Sequence, residues 1–241
     1  MRWGVIIAAG FLLIYASPAA AQEISINMGD QASITTRSVQ LLALITVLSI
    51  VPGLAIMFTC FPFIVTVLSI LRQAIGLQQS PPNILIISLA LFLTWFVMDP
   101  VFAEAWVNGL EPLSNGKLDL QAAIPLVLSP FRIFMANRVD LDTLSALQEL
   151  RPGVTFSQVN DAPLSLLVPS FILSEIQRAF EIGFLIYLPF LIIDLVVSAI
   201  LMAMGMMMVP PAVVSLPFKL AFFAVADGWT LISSALVRSY F

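Results

Sequence analysis

Apolar residues fall along this chain in blocks longer than a soluble helix needs. Between Arg37 and Arg72 lie 34 residues without a charge, more than the roughly 20 that carry one straight helix across a bilayer. Pro52-Gly53 and Pro62 interrupt this run, because a proline removes a ladder hydrogen bond and clashes with the preceding turn. The pattern predicts a kinked first helix from Leu41 to Leu71 and a polar connection from Arg72 to Asn83. A second helix follows from Ile84 to Met98, stopped by Asp99-Pro100. The two form a hairpin.

The pattern changes from Asp99 to Asp161, which holds 8 of the 14 acids. Turn signals stand at Ser114-Asn115-Gly116 and Arg151-Pro152-Gly153. Leu141, Leu144, Leu147 and Leu150, and Ile124, Val127, Leu128 and Phe131, recur at helical spacing. Short amphipathic helices of a small extramembrane region are predicted. From Leu164 the apolar character returns: Leu164 to Leu173, a charged turn Ser174 to Glu181, and Ile182 to Met208 read as one long broken helix ended by Val209-Pro210-Pro211. The last apolar stretch, Val213 to Leu236, is expected to break at Pro217.

The expected fold class is therefore an all-α membrane protein. Two kinked helical hairpins (38–98 and 163–241) flank a small helical extracytoplasmic region (99–162), in a form built for oligomeric assembly. Ahead of them, Met1-Arg2, the apolar stretch Trp3 to Ala16 and the small residues before Gln22 have the layout of a secretory signal peptide over 1–21, cleaved after Ala21. An uncleaved anchor helix is the alternative. Cleavage leaves a short external segment, 22–37, and sets the N-terminus outside. The loops at 72–83 and 209–217 then face the cytoplasm. Loop charges add little, since only Arg72 and Lys219 follow the positive-inside bias.

Composition explains why such blocks exist. Hydrophobic residues make up 60% and charged residues 10% of the 241, against about 25% charged in an ordinary soluble domain. There are too few polar groups to cover a globule, so part of the solvent is lipid. There is no histidine, which removes imidazole acid–base chemistry and imidazole metal sites. The single Cys60 cannot build a disulfide within the chain or a zinc site. A net charge of −4 gives no electrostatic case for nucleic acid. No catalytic residues, cofactor or metal site are expected, and the chain reads as non-enzymatic.

What stands out is charge inside apolar segments. Glu175, Arg178 and Glu181 descend one helix as acid, base and acid. Asp194 sits among branched apolar residues, and Lys219 and Asp227 repeat the oddity. A charge at mid-bilayer costs about 2.5–3.5 kcal/mol even on the lenient scale, so these residues are expected at polar contacts between subunits. For the first three, an ion-pair ladder at headgroup level stays open. The many prolines free backbone groups that neighbouring helices or cavity water must satisfy, which argues for a multi-subunit assembly around a lumen. Five of ten methionines fall in Met202 to Met208. Met side chains are unbranched and deformable. Beside the hinge residues Gly205, Pro210 and Pro211 they suit either a compliant ring that seals the lumen or a Met-rich packing surface.

Ordered motifs then point to a family. Pro169-Ser170-Phe171-Ile172-Leu173-Ser174-Glu175, Ala179-Phe180-Glu181-Ile182-Gly183-Phe184 and Pro189-Phe190-Leu191-Ile192-Ile193-Asp194 resemble the FliP family of flagellar biosynthetic proteins. So do Gly205-Met206-Met207-Met208, Pro210-Pro211, Leu216-Pro217-Phe218-Lys219 and Asp227-Gly228-Trp229, and earlier Leu71-Arg72-Gln73-Ala74-Ile75-Gly76 and Met98-Asp99-Pro100. The resemblance implies a core subunit of the flagellar type III export gate in the bacterial inner membrane and flagellar basal body. Five copies would join FliQ-like and FliR-like subunits and other export apparatus proteins. Unfolded flagellar substrates would pass through the centre, with Met206, Met207 and Met208 as the pore gasket. A small-solute or proton-coupled transporter using Glu175, Glu181 and Asp194 is the alternative.

Overall fold

The computed structural model describes residues 31–77 and 80–241; the expected cleavage site at Ala21 and the segment before Gln31 lie outside them. The described residues fall into two units, 31–48 and 49–241. Among the described residues every regular element is helical: α1 (Gln31–Met57), α2 (Phe61–Ile75), α3 (Asn83–Ala105), α4 (Glu111–Ser114), α5 (Leu120–Arg138), α6 (Leu141–Glu149), α7 (Leu164–Ala203), α8 (Pro211–Val225) and α9 (Gly228–Arg238). A π-helical turn, Trp106–Leu110, joins α3 to α4, and a 3-10 turn, Val159–Asp161, precedes α7.

The expected elements are present, but their breaks fall elsewhere. The expected first helix is two helices. Pro52-Gly53 lies inside α1 without ending it, and the chain breaks at Phe58 to Cys60. There the Thr59 hydroxyl donates to the Ile56 carbonyl (2.7 Å) and accepts from the Phe61 N–H (3.3 Å). Pro62 stands in the first turn of α2, where its missing N–H would have no helical partner anyway. Asp99-Pro100 does not stop α3 either, which runs on to Ala105. One lost hydrogen bond is outweighed by a buried face that continues on both sides of it, through Ile86, Ala90, Val97, Met98 and Ala105.

The charged turn in α7 is likewise no break: the helix is continuous for 40 residues through Pro169 and Pro189. The Ser170 and Ser174 hydroxyls bond back to the Leu166 and Ser170 carbonyls, spending their hydrogen bonds on the helix itself. The last stretch holds at Pro217 and breaks at Asp227, between α8 and α9, with a bend of 61°. Asp227 adopts a left-handed conformation (φ 46°). Gly228 sits so close to Phe223 that an added Cβ would lie 2.1 Å from the ring.

The core of the second unit is built on α2. Phe63, Ile64, Val67, Leu68 and Leu71 are fully buried, and α2 packs chiefly on α7 and then on α3. Gly183 of α7 permits the approach, since a Cβ there would meet Ile70 Cδ1 at 2.4 Å. A smaller cluster under α6 gathers Met135, Leu144, Leu166, Leu167 and Phe171.

Among the described residues, three helical stretches are long and apolar enough to cross a membrane: α3 with its continuation to Ser114, α5, and α7; the bent pair α8–α9 makes a fourth if taken as one span. α5 falls in the region expected to lie outside the membrane. α7 is about 60 Å long at 1.5 Å per residue, twice the roughly 30 Å hydrocarbon core. Large apolar side chains stay exposed along α3 and α7, among them Phe92, Trp95, Phe96, Phe180, Phe184 and Leu185.

Candidate functional site

The methionine run opens at the C-terminal end of α7. Gly205 takes φ +73°, a left-handed angle that costs an L-residue but not glycine. Its N–H donates to the Met202 carbonyl (3.0 Å), and the Met206 N–H reaches back to the Leu201 carbonyl (2.9 Å). These two bonds make a Schellman turn, which satisfies the last carbonyls of the helix. Pro211 then starts α8, with Pro210 as its extended N-cap. The intervening side chains are increasingly free: Met206 is 42% exposed, Met207 84% and Met208 98%.

Below this turn, α7 and α8 hold a partly buried ion pair. The Lys219 ammonium donates to Asp194 Oδ2 at 2.6 Å and to the Ala74 carbonyl at 3.1 Å. Ser215 donates to Asp194 Oδ1 at 2.5 Å. Ala74 lies in the last turn of α2, whose chain leaves through Gly76 at φ +90°. A cation at that carbonyl end is favoured by the helix dipole. One lysine therefore ties together the end of α2, the C-terminal part of α7 and α8.

A second network fixes the chain's last residues. Glu175 is fully buried and accepts from Arg138 Nε (3.1 Å) and from the Tyr240 hydroxyl. Arg138 also donates to the Ser239 carbonyl (2.8 Å), and its guanidinium lies 4.0 Å from the Tyr240 ring centroid. That ring stacks on Phe134 and meets Phe63 edge-on. Burial, and then the neighbouring Glu175 carboxylate, push the Tyr240 phenol well above its usual range. Next to it, Ser174 accepts from the Asp140 N–H (2.9 Å), and Asp140 caps α6 by accepting from the Thr143 N–H (2.9 Å) and hydroxyl (2.8 Å). Those bonds hold the Asp140 carboxyl below the usual carboxylate range.

Glu175, Asp194 and Lys219, read from sequence as contacts between subunits, thus find partners within this chain. Arg178 and Glu181 do not meet in an ion pair. Glu181 is exposed and accepts from Gln177 (3.2 Å), while Arg178 acts on Asp140 only at longer range. Asp227 is exposed at the bend and accepts from the Thr230 hydroxyl (3.1 Å). Sequence reasoning missed Tyr240, Ser215 and the Ala74 carbonyl. An aromatic hydroxyl near the C-terminus and a serine four residues before Lys219 were the available signals. Among the described residues no group of acids and cysteine is placed to hold a metal ion.

The FliP family model matches residues 44–236. This chain belongs to the FliP family. It is 47% identical over 236 residues to a flagellar biosynthetic protein FliP of Caulobacter vibrioides, covering 98% of this chain and 89% of that relative. It is 44% identical to that of Bacillus subtilis over 203 residues (84% and 92%) and 40% identical to that of Aquifex aeolicus over 238 residues (98% and 97%). The matched residues take in the methionine turn and both internal ion pairs.

Proposed function

We propose that this chain is a core subunit of the flagellar type III protein export gate. Several copies, five on the family pattern, would surround a path for unfolded flagellar subunits across the bacterial inner membrane at the basal body, with FliQ-like and FliR-like subunits beside them. The observation that carries this reading is the methionine turn. Deformable side chains stand almost fully exposed on a glycine turn between two helices that an ion pair holds in place. Such a turn has a fixed root and yielding tips, which suits a seal that closes around an extended polypeptide and then recovers.

Large exposed apolar surfaces on α3 and α7 support burial of each copy against lipid and sister chains. Arg178, Glu181 and Asp227, which have no ion pair within the described residues, are the charges we assign to contacts between copies. A small-solute transporter gains no support from this arrangement. Glu175 and Asp194 are each held by a base and a hydroxyl and are not strung along one path. The test is to replace Met206, Met207 and Met208 by Ala, purify the complex in detergent, check its mass, and reconstitute it. A raised resting leak of small ions with the assembly intact is expected. Unchanged conductance removes the sealing role.

A further inference from the structure

We propose that the methionine run is divided in function: Met206 fastens the turn to its own chain, and Met207 and Met208 alone form the yielding seal. This rests on the export-gate reading. Met206 is engaged twice. Its N–H closes the Schellman turn on the Leu201 carbonyl. Its side chain lines an apolar groove of about 490 Å³ with Leu201, Met204, Val214 and Phe218. A contact between the residue after the left-handed glycine and the last helical turn is what stabilises this kind of helix end. Met207 and Met208 are at least twice as exposed as Met206.

The consequence for a seal is mechanical. Met206 reaches across a lumen only if its side chain leaves the groove, while its backbone stays tied to the end of α7. The next two side chains, each with three rotatable bonds, can move without disturbing either helix. Met206 is then a positioning residue that sets where the other two stand.

The chain offers a clean test, because its single cysteine, Cys60, is fully buried. Met206→Cys, Met207→Cys and Met208→Cys are introduced singly into the full-length chain. Each assembled complex is reconstituted in planar bilayers and treated with a small methanethiosulfonate reagent. Met207→Cys and Met208→Cys should react, with a change in resting conductance. Met206→Cys should react about tenfold more slowly, the protection expected of a half-buried apolar side chain. Met206→Leu, which refills the groove, should seal like the original chain, whereas Met207→Ala and Met208→Ala should each leak. Equal reactivity at 206 and 208, or a leak in Met206→Leu as large as in Met208→Ala, overturns the division alone. Rapid modification at 207 and 208 with no conductance change overturns the seal itself, and with it the reading beneath.

Discussion

Lys219 and Asp194, 25 residues apart in sequence, meet at 2.6 Å where α7 and α8 run side by side. The lysine side chain keeps 6% of its exposure and the aspartate 29%. Breaking a buried pair by removing one partner is costly because the other charge is stranded, by about 3–5 kcal/mol. Lys219→Met should therefore destabilise the chain by about 3 kcal/mol, the lower end of that range, because Asp194 keeps some access to solvent. The double variant Lys219→Met with Asp194→Leu should recover most of the loss, measured as thermal unfolding in detergent. A double variant no better than the single one would mean the pair does more than neutralise itself.

Tyr240→Phe removes the hydroxyl that donates to Glu175 and leaves the stacked ring in place. A hydrogen bond to a charged group contributes about 1.5–3 kcal/mol, so Tyr240→Phe should lower stability by about that amount. Arg138→Gln should cost more, since it strands the buried carboxylate and frees the Ser239 carbonyl as well. Limited proteolysis of the C-terminal residues would report the same order.

Two glycines should fail for different reasons. Gly228→Ala drives a methyl group into the Phe223 ring, and overpacking of this kind costs about 1–3 kcal/mol. Gly205→Ala meets open space but a left-handed angle, at about 1–2 kcal/mol. Gly205→Asn should be milder, because Asn tolerates that angle. Unfolding of the three variants side by side separates crowding from backbone strain.

The Asp140 cap of α6 carries a pH dependence whose sign is fixed. Its carboxyl is held low by the Thr143 N–H and hydroxyl, so the folded state favours the ionised form. That contribution is whole above the unfolded value of about 3.9 and is lost as pH falls through the lower folded value. The Tm gap between the original chain and Asp140→Ala should stay flat from neutral pH down to the carboxylate range and close below it. A gap that closes near pH 6 would point to another group.

What the sequence made legible, and what it hid, follows from the range of each interaction. Gly205 and Pro210-Pro211 announce the end of α7 because their effects are local to the backbone. Apolar runs likewise announced helices. The breaks were misplaced because proline is a local cost that long-range packing can override, as at Pro100 and Pro217. The left-handed turn at Asp227 falls instead where Gly228 packs against the Phe223 ring. The partners of Glu175 were hidden for a similar reason: Arg138 and Tyr240 stand 37 and 65 residues away, and nothing in local spacing selects them. An unpaired charge in an apolar segment shows that a partner exists without showing which chain provides it.

The length of α7 turns a small rotation into a large displacement. From Gly183, where the helix rests against Ile70, to Ala203 the arm measures about 30 Å. A tilt of about 10° at that fulcrum carries the far end by about 5 Å, the pitch of one helical turn. In the proposed gate, such an arm would widen an aperture by the breadth of a side chain without refolding, once Lys219 lets go of the Ala74 carbonyl.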